Sequence, residues 1–254
     1  ILNAGWPEAV ESYLKEGNAM DFAGAYSSGN LAYLLKGFAV TLEVAFVAIV
    51  LSFLIGCILG ILRYAKIPIL SPIVALVVEI TRNLPLILII FFTYFALPEV
   101  GMKMSVTAAA ISALTVFESA MIAEIVRGGL NAIPKGQIEA ARSSGLKYTQ
   151  TLWYIILPQA LKKMIPPLVS QFISLLKDTS LAIIIALPEL LHNAKGIYNG
   201  EGGSKYIIPI LLMAAFMYFV VNYLLSILAR RLEKRLDPDR SAAKQLVNTT
   251  ENLL

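Results

Sequence analysis

Residues 139–158 read EAARSSGLKYTQTLWYIILP, and this stretch carries the most information about the fold. It is a polar, basic segment between long apolar segments. The small side chains of the alanine pair allow a partner surface to approach closely, and the glycine suits a helix end because it tolerates positive φ. We therefore predict a short helix, a turn and a second helix, built on six spaced positions: Glu139, Ala140, Ala141, Gly145, Leu157 and Pro158.

Composition places the chain in the membrane. Hydrophobic residues make up 57% of the 254 residues, charged residues make up 15%, and the mean hydropathy is +0.72. One soluble core cannot hide that much apolar surface, whereas a bilayer accepts it, so we predict an all-α polytopic membrane protein. The net charge of +4 lies in particular loops, which indicates topology and not nucleic-acid binding. Because Cys57 and His192 are the only residues of their types, a disulfide framework and a zinc site are both excluded.

Five segments are long enough to span a bilayer, which needs about 20 residues each. They cover residues 34–62, 69–97, 106–125, 165–187 and 207–228, and the second is interrupted by Arg82, Asn83 and Pro85. This predicts an external N-terminal segment at 1–29, a transmembrane domain at 30–236 with a loop at about 134–158, and a cytoplasmic tail at 237–254. The first residue is Ile1 and not Met, so we expect a segment upstream of it.

The Lys and Arg distribution predicts the orientation. Basic residues concentrate in the first and third connections and after the fifth segment, whereas the second and fourth connections carry only Lys103, Lys195 and Lys205. By the positive-inside rule, the N-terminus lies outside and the C-terminus inside, so the 134–158 loop is cytoplasmic. Within the spans, Gly56 and Gly60 form a small-residue pair for which ordinary helix packing is favoured over a dimer seam.

The spacing of residues 139–158 resembles the EAA loop of ABC importer permeases, and three further motifs are similar to their polar amino-acid (histidine/glutamine-type) branch. These are EIVRGG at 124–129 followed by Gln137, KDTSL at 177–181, and EITRNLPL at 79–86. Many relatives have Gly-Thr where this chain has Asn83-Leu84. The similarity covers about residues 34–235.

This resemblance implies a type I ABC importer permease fold, with the loop acting as a cytoplasmic coupling helix on an ATP-binding subunit. ATP and Mg would lie on that partner, because this chain has no G-x-x-x-x-G-K-[ST] phosphate loop. It further implies a second permease subunit, identical or related, an extracellular solute-binding protein, and a polar amino acid as substrate in a bacterial inner (plasma) membrane. The chain itself would have no catalytic residue, metal or cofactor.

Charges within the predicted spans need a reason, since each costs about 2.5–3.5 kcal/mol to insert. Glu79 and Arg82 lie three residues apart and can pair. Lys177 and Asp178 fall mid-way through the fourth predicted span. One hypothesis is that these four and Ser180 line a chamber for a zwitterionic substrate. The alternative is that they form ion pairs that hold helices or subunits together. For Glu118, packing, gating and substrate contact stay open.

Three other functions were weighed against ATP-driven import. An ion-driven transporter would use carboxylates such as Glu79 and Asp178, and a scaffold or receptor subunit would pass no solute. A membrane enzyme built on Glu118, Glu124 and His192 fails because the residues fall at opposite ends of the spans.

Pro158 and the later pair Pro166–Pro167 are expected to limit helix continuity before the fourth span. For the substrate, glutamine or glutamate is weakly favoured within the polar amino acids.

Overall fold

The computed structural model describes residues 20–200 and 203–236, and every regular element in these ranges is helical. The all-α prediction is therefore confirmed. Most of the predicted external segment (residues 1–19) and all of the predicted tail (residues 237–254) lie outside the described residues.

Ten α-helices are numbered in chain order. They are α1 Phe22–Ala25, α2 Ser28–Tyr64, α3 Leu70–Asn83, α4 Leu86–Phe91, α5 Val106–Asn131, α6 Lys135–Ser143, α7 Tyr148–Thr151, α8 Leu157–Asp178, α9 Leu190–Tyr198 and α10 Ile207–Leu236. Two π-helical turns (Phe92–Ala96 and Leu152–Ile156) and three 3-10 turns (Leu97–Val100, Thr179–Ile185 and Gly203–Tyr206) connect them. Four helical stretches are long and apolar enough to cross a membrane, and a bent pair supplies a fifth, as predicted: Ser28–Tyr64, Val106–Asn131, Tyr148–Ile185, Gly203–Leu232, and Leu70–Asn83 with Leu86–Val100.

Helices α2 and α5 pack most closely, and glycine makes this possible. A Cβ placed on Gly56 would lie 2.7 Å from the Ile122 side chain, and one on Gly60 would lie 2.7 Å from the Ala123 carbonyl oxygen. Any larger residue would push the helices apart. The small-residue pair therefore packs within the chain, which agrees with the packing interpretation.

The second span is an elbow. Helices α3 and α4 meet at 102°, since Pro85 cannot continue a helix and holds the preceding Leu84 in extended backbone with ψ 142°. Val74 and Val78 of α3 pack against Ala120 and Ala123 of α5. The elbow thus lays α3 against the part of α5 nearest the 134–158 loop. We call this end of the bundle, where α2 and α5 finish and α6 begins, the loop end.

Two expectations about the fourth span were wrong. Helix α8 runs unbroken through Pro166 and Pro167, because Met164 and Leu168 on its inner face are buried in the core and packing outweighs the lost N–H groups. Pro158 lies at the first turn of α8, where a missing N–H costs little. Lys177 and Asp178 also do not lie mid-span. They end α8, since the chain tightens into the 3-10 turn after Asp178 and reverses at Ala186 with φ 59°.

Candidate functional site

The predicted loop is a helix–turn–helix as expected. Helix α6 starts directly after Pro134 and ends at Ser143. Gly145 takes φ +87°, a left-handed conformation that favours glycine. Its N–H donates to the Arg142 carbonyl at 3.0 Å, and the Leu146 N–H donates to the Ala141 carbonyl at 3.2 Å, which satisfies the free carbonyls at the helix end.

The loop has one buried and one exposed face. Ala141 is 7% exposed and Ile156 is 1% exposed, so these side chains face the bundle. Glu139, Ala140, Gly145 and Pro158 are exposed, and Leu157 is half-buried. Three large aromatic side chains of the loop are also exposed: Tyr148, Trp153 and Tyr154. A surface with small side chains and exposed aromatic neighbours is suited to contact with another protein.

Polar contacts and close packing tie this loop to the spans. Gln159 Nε2 donates to Gln137 Oε1 at 2.6 Å, and Lys163 Nζ donates to the Ala132 carbonyl oxygen at 2.7 Å. A Cβ added to Gly129 would lie 2.3 Å from Met164 Cγ, so α5 and α8 touch just inside the loop. These contacts join α6 to α8, and α8 to the end of α5.

Five charged side chains meet at the loop end, and we call them the arginine–glutamate cluster: Arg63, Glu79, Arg82, Glu124 and Arg127. Arg63 donates to Glu124 at 2.7 Å and to Glu79 at 3.2 Å. Arg82 lies 3.4 Å from Glu79 and 3.7 Å from Glu124. Arg127 pairs with Glu124 from one turn away on α5. The cluster joins α2, α3 and α5 and carries a net charge of +1 from three arginines and two glutamates.

A second polar group lies deeper in the bundle. Glu118 is fully buried on α5, and Gln171 Nε2 of α8 donates to both of its carboxylate oxygens at 2.9 and 3.2 Å. Further along α8, Lys177 is exposed, and Asp178, seven residues after Gln171, is half-buried. Ser180 Oγ donates to the Lys177 carbonyl oxygen at 2.7 Å. Among the described residues, no ion pair joins Lys177 to Asp178.

The five residues proposed for a substrate chamber thus fall into two groups. Glu79 and Arg82 pair as predicted, at the level of Glu124, while Lys177, Asp178 and Ser180 lie beyond Glu118 towards the opposite end. Glu124 is six residues from Glu118 along α5, and Asp178 is seven from Gln171 along the antiparallel α8. At 1.5 Å per residue the groups are about 20 Å apart along the bundle. One amino acid cannot touch both groups at once.

The sequence reasoning did not identify three members of the cluster. Arg63 and Arg127 count there as topology or motif residues, and Glu124 as a motif residue and as a candidate of the rejected membrane enzyme. Their spacing could have predicted a second ion pair, because Glu124 and Arg127 repeat the three-residue separation of Glu79 and Arg82 near the end of a span. No sequence pattern indicates a role for Gln171, because that role depends on its contact with Glu118 on a neighbouring helix.

The connection after the fourth span has its own buried carboxylate, that of Glu189. Glu189 is fully buried and caps α9, and it accepts from the Leu191 and His192 amides at 2.9 and 2.7 Å and from the Tyr218 hydroxyl at 3.1 Å. Burial raises the pKa of Glu189, and these hydrogen bonds lower it by less. The cap fixes α9 to α10. No cluster of His, Cys, Asp and Glu among the described residues can hold a metal ion.

Comparison with known proteins identifies the family. Residues 52–238 match the family described as binding-protein-dependent transport system inner membrane component. The chain is 66% identical over 216 residues to the probable glutamine ABC transporter permease protein GlnP of Bacillus subtilis (strain 168), covering 85% of this chain and 99% of that protein. It is 38% identical to the probable glutamine ABC transporter permease protein GlnM of the same organism, over 82% of this chain and 95% of GlnM.

A solved structure agrees with the sequence relatives. The fold superposes on a crystal structure of an amino acid ABC transporter with histidines, with a TM-score of 0.79 and 30% identity over 85% of this chain and 98% of that one. The chain therefore belongs to the binding-protein-dependent transport system inner membrane components, as a multi-pass ABC transporter permease of the amino-acid branch in the bacterial inner membrane.

Proposed function

We propose that this permease imports a polar amino acid, with glutamine favoured over glutamate, and that a separate ATP-binding subunit drives it. The observation that carries the proposal is the α6 surface. Glu139 and Ala140 are exposed on a short helix that the Gly145 turn ends, while Ala141 anchors its other face. The names of the two similar Bacillus permeases give glutamine as their substrate, and this supports the substrate class.

In this proposal, ATP and Mg bind the partner subunits, whose closure pushes on α6. Because Gln137 and Lys163 link the loop to the surrounding helices, α5 and α8 follow that movement. A second permease copy or relative completes the pathway, and a solute-binding protein delivers the amino acid from outside. The proposed orientation, N-terminus out and C-terminus in, places α6 on the ATP side. Alternating access follows, with no covalent step in this chain.

We infer that the charged residues act as two successive substrate contacts and not as one chamber. Lys177, Asp178 and Ser180 form the outer contact, and the exposed Lys177 ammonium can meet the α-carboxylate while Asp178 meets the α-ammonium group. Glu79 and Arg82 form the inner contact, where Glu79 is 49% exposed. A zwitterion stripped of water needs opposite charges at each stage, since unpaired buried charge is costly.

Uptake of labelled amino acids into proteoliposomes tests the proposal. The vesicles contain this chain, its ATP-binding partner and the binding protein, and the expected result is glutamine accumulation that requires hydrolysable ATP. Flux that continues with a non-hydrolysable analogue, or that follows an ion gradient without ATP, would overturn the mechanism. Failure with every polar amino acid would overturn the substrate class.

Two isosteric variants separate substrate contact from a structural role. Asp178→Asn removes a half-buried charge that has no ion pair among the described residues, so assembly should persist while uptake falls. Glu79→Gln removes a member of the arginine–glutamate cluster, so both uptake and thermal stability should fall. If Asp178→Asn abolishes assembly, or leaves uptake unchanged, the outer contact is excluded.

A further inference from the structure

A crevice between α8 and α10 is not used by the proposed transport mechanism. It has a volume of about 340 Å³, and its walls are formed by Pro166, Pro167, Ser170 and Ile173 on one side and Ser226, Ala229 and Arg230 on the other. These two helices belong to different predicted spans. The crevice therefore lies between two of the spans.

Its polar groups converge on one kind of ligand. Ser226 and Arg230 lie one helical turn apart on α10, so both side chains project from the same face. Arg230 has no acidic partner among the residues that the structure describes. Ser170 Oγ donates to the Pro166 carbonyl oxygen at 3.2 Å. An unpaired guanidinium beside a serine hydroxyl is suited to a phosphate group, which a guanidinium binds with two parallel hydrogen bonds.

The crevice lies near the end of the last span, where lipid headgroups are expected. Arg230 begins the run RRLEKR at 230–235, in which four cations and one glutamate leave a net charge of +3, and the apolar span that contains it ends at Leu232. On the facing wall, Lys162 lies one turn before Pro166 and is exposed. Basic crevices between spanning helices at this level attract anionic phospholipids.

We propose that this crevice is a binding site for the phosphate of an anionic phospholipid, with Arg230 as the main contact and Ser226 beside it. The acyl chains would lie along the exposed apolar surface of α10, where Phe219, Tyr223 and Leu224 face outward. The site lies apart from the exposed face of α6 and from the arginine–glutamate cluster. Its occupation would link the membrane composition to the packing of α8 against α10.

Thermal unfolding of the assembled transporter in neutral detergent tests this site. Added phosphatidylglycerol should raise Tm more than phosphatidylcholine does, and Arg230→Gln should lose most of that difference. Arg231→Gln is the matched control, because it removes the same charge from the adjacent, exposed position that does not line the crevice. It should keep the difference, and both variants should have the wild-type Tm without lipid.

Three results would overturn the proposal. Equal losses in Arg230→Gln and Arg231→Gln would mean that only the overall charge of the basic run attracts lipid. A full Tm rise with glycerol phosphate alone would assign the crevice to a free phosphate compound and not to a lipid. A Tm that does not distinguish phosphatidylglycerol from phosphatidylcholine in the wild type would remove the site altogether.

Discussion

Arg63 donates a hydrogen bond to Glu124 at 2.7 Å across 61 residues of sequence, and the same guanidinium reaches Glu79 at 3.2 Å. Its side chain is only 10% exposed. One arginine therefore holds the ends of α2, α3 and α5 together. Since α5 leads directly into α6, this contact connects the elbow of the second span to the 134–158 loop.

Arg63→Gln should lower the stability of the permease. The change removes two charge-assisted hydrogen bonds from a largely buried position, and bonds to charged groups contribute about 1.5–3 kcal/mol each. Arg63→Lys should give an intermediate loss of stability. An ammonium group lacks the rigid, forked geometry with which a guanidinium binds two carboxylates at once. Thermal unfolding in detergent measures the effect. Lys66→Gln is the control, since Lys66 is an exposed cation in the same connection; equal Tm values for Arg63→Gln and Lys66→Gln would contradict the structural role.

Gly129→Ala should weaken the contact between α5 and α8. The added methyl group would lie 2.3 Å from Met164 Cγ, which is near the backbone and cannot swing away freely. Overpacking of this kind costs about 1–3 kcal/mol. Gly128→Ala is the matched control, because a Cβ there meets nothing within 4 Å. It should be neutral or slightly stabilising, since alanine is the better helix former.

A double variant separates the steric clash from helix propensity. Met164→Ala opens space beneath residue 129, so Gly129→Ala should be less harmful in that background than in the wild type. Unfolding temperatures of the four proteins give the coupling between the two positions. If the two changes are simply additive, residues 129 and 164 do not interact in the way the structure indicates.

The sequence alone predicts the spans and the 134–158 loop, but it does not predict the arginine–glutamate cluster. Apolar runs and the Gly145 spacing are local signals, so they predict elements well. Whether Arg63 meets Glu124 depends on the direction of α3, which the 102° elbow sets. Pro85 indicates that a helix breaks there, but a proline does not determine the angle.

Long-range packing also explains why helix α8 was misjudged. Pro166 and Pro167 argue locally for a break, yet Met164 and Leu168 are buried on either side of them and hold the helix in place. For the same reason the residues of the predicted chamber fall into two separate groups. Lys177 and Arg82 belong to different spans, and the sequence does not show that their levels in the bundle differ by about 20 Å at a rise of 1.5 Å per residue.

Gly145→Ala should lower amino-acid uptake per ATP hydrolysed while the protein stays folded. Gly145 has φ +87°, and a residue with a Cβ pays about 1–2 kcal/mol in the left-handed region. The α6 turn should shift, so ATP hydrolysis by the assembled complex should continue while amino-acid uptake per ATP falls. Gly136→Ala tests the same substitution within α6, where the added Cβ has open space and no positive φ is needed. Equal coupling ratios for the two variants would exclude the turn as the transmitting element.

Glu189 should make the stability of the permease depend on pH. Its folded-state pKa is raised above 4.5 by burial, so the folded chain holds the proton more tightly than the unfolded chain does. As pH rises above 4.5, the unfolded state ionises first, and the free energy of unfolding falls until the folded-state pKa is passed. Glu189→Gln removes this titration. The difference in unfolding free energy between wild type and variant should therefore decrease with rising pH in that window and then stay constant.

Tyr218→Phe provides the control for this pH dependence. It deletes the hydroxyl that donates to Glu189 at 3.1 Å but keeps the titrating carboxyl group. Tyr218→Phe should be less stable than the wild type, but its stability should still depend on pH. The lost hydrogen bond favours the ionised carboxylate, so its removal raises the pKa of Glu189 further. Denaturant unfolding followed across the acidic range distinguishes the two variants. A wild-type slope identical to that of Glu189→Gln would mean that the pKa of this carboxyl is the same in the folded and unfolded chain.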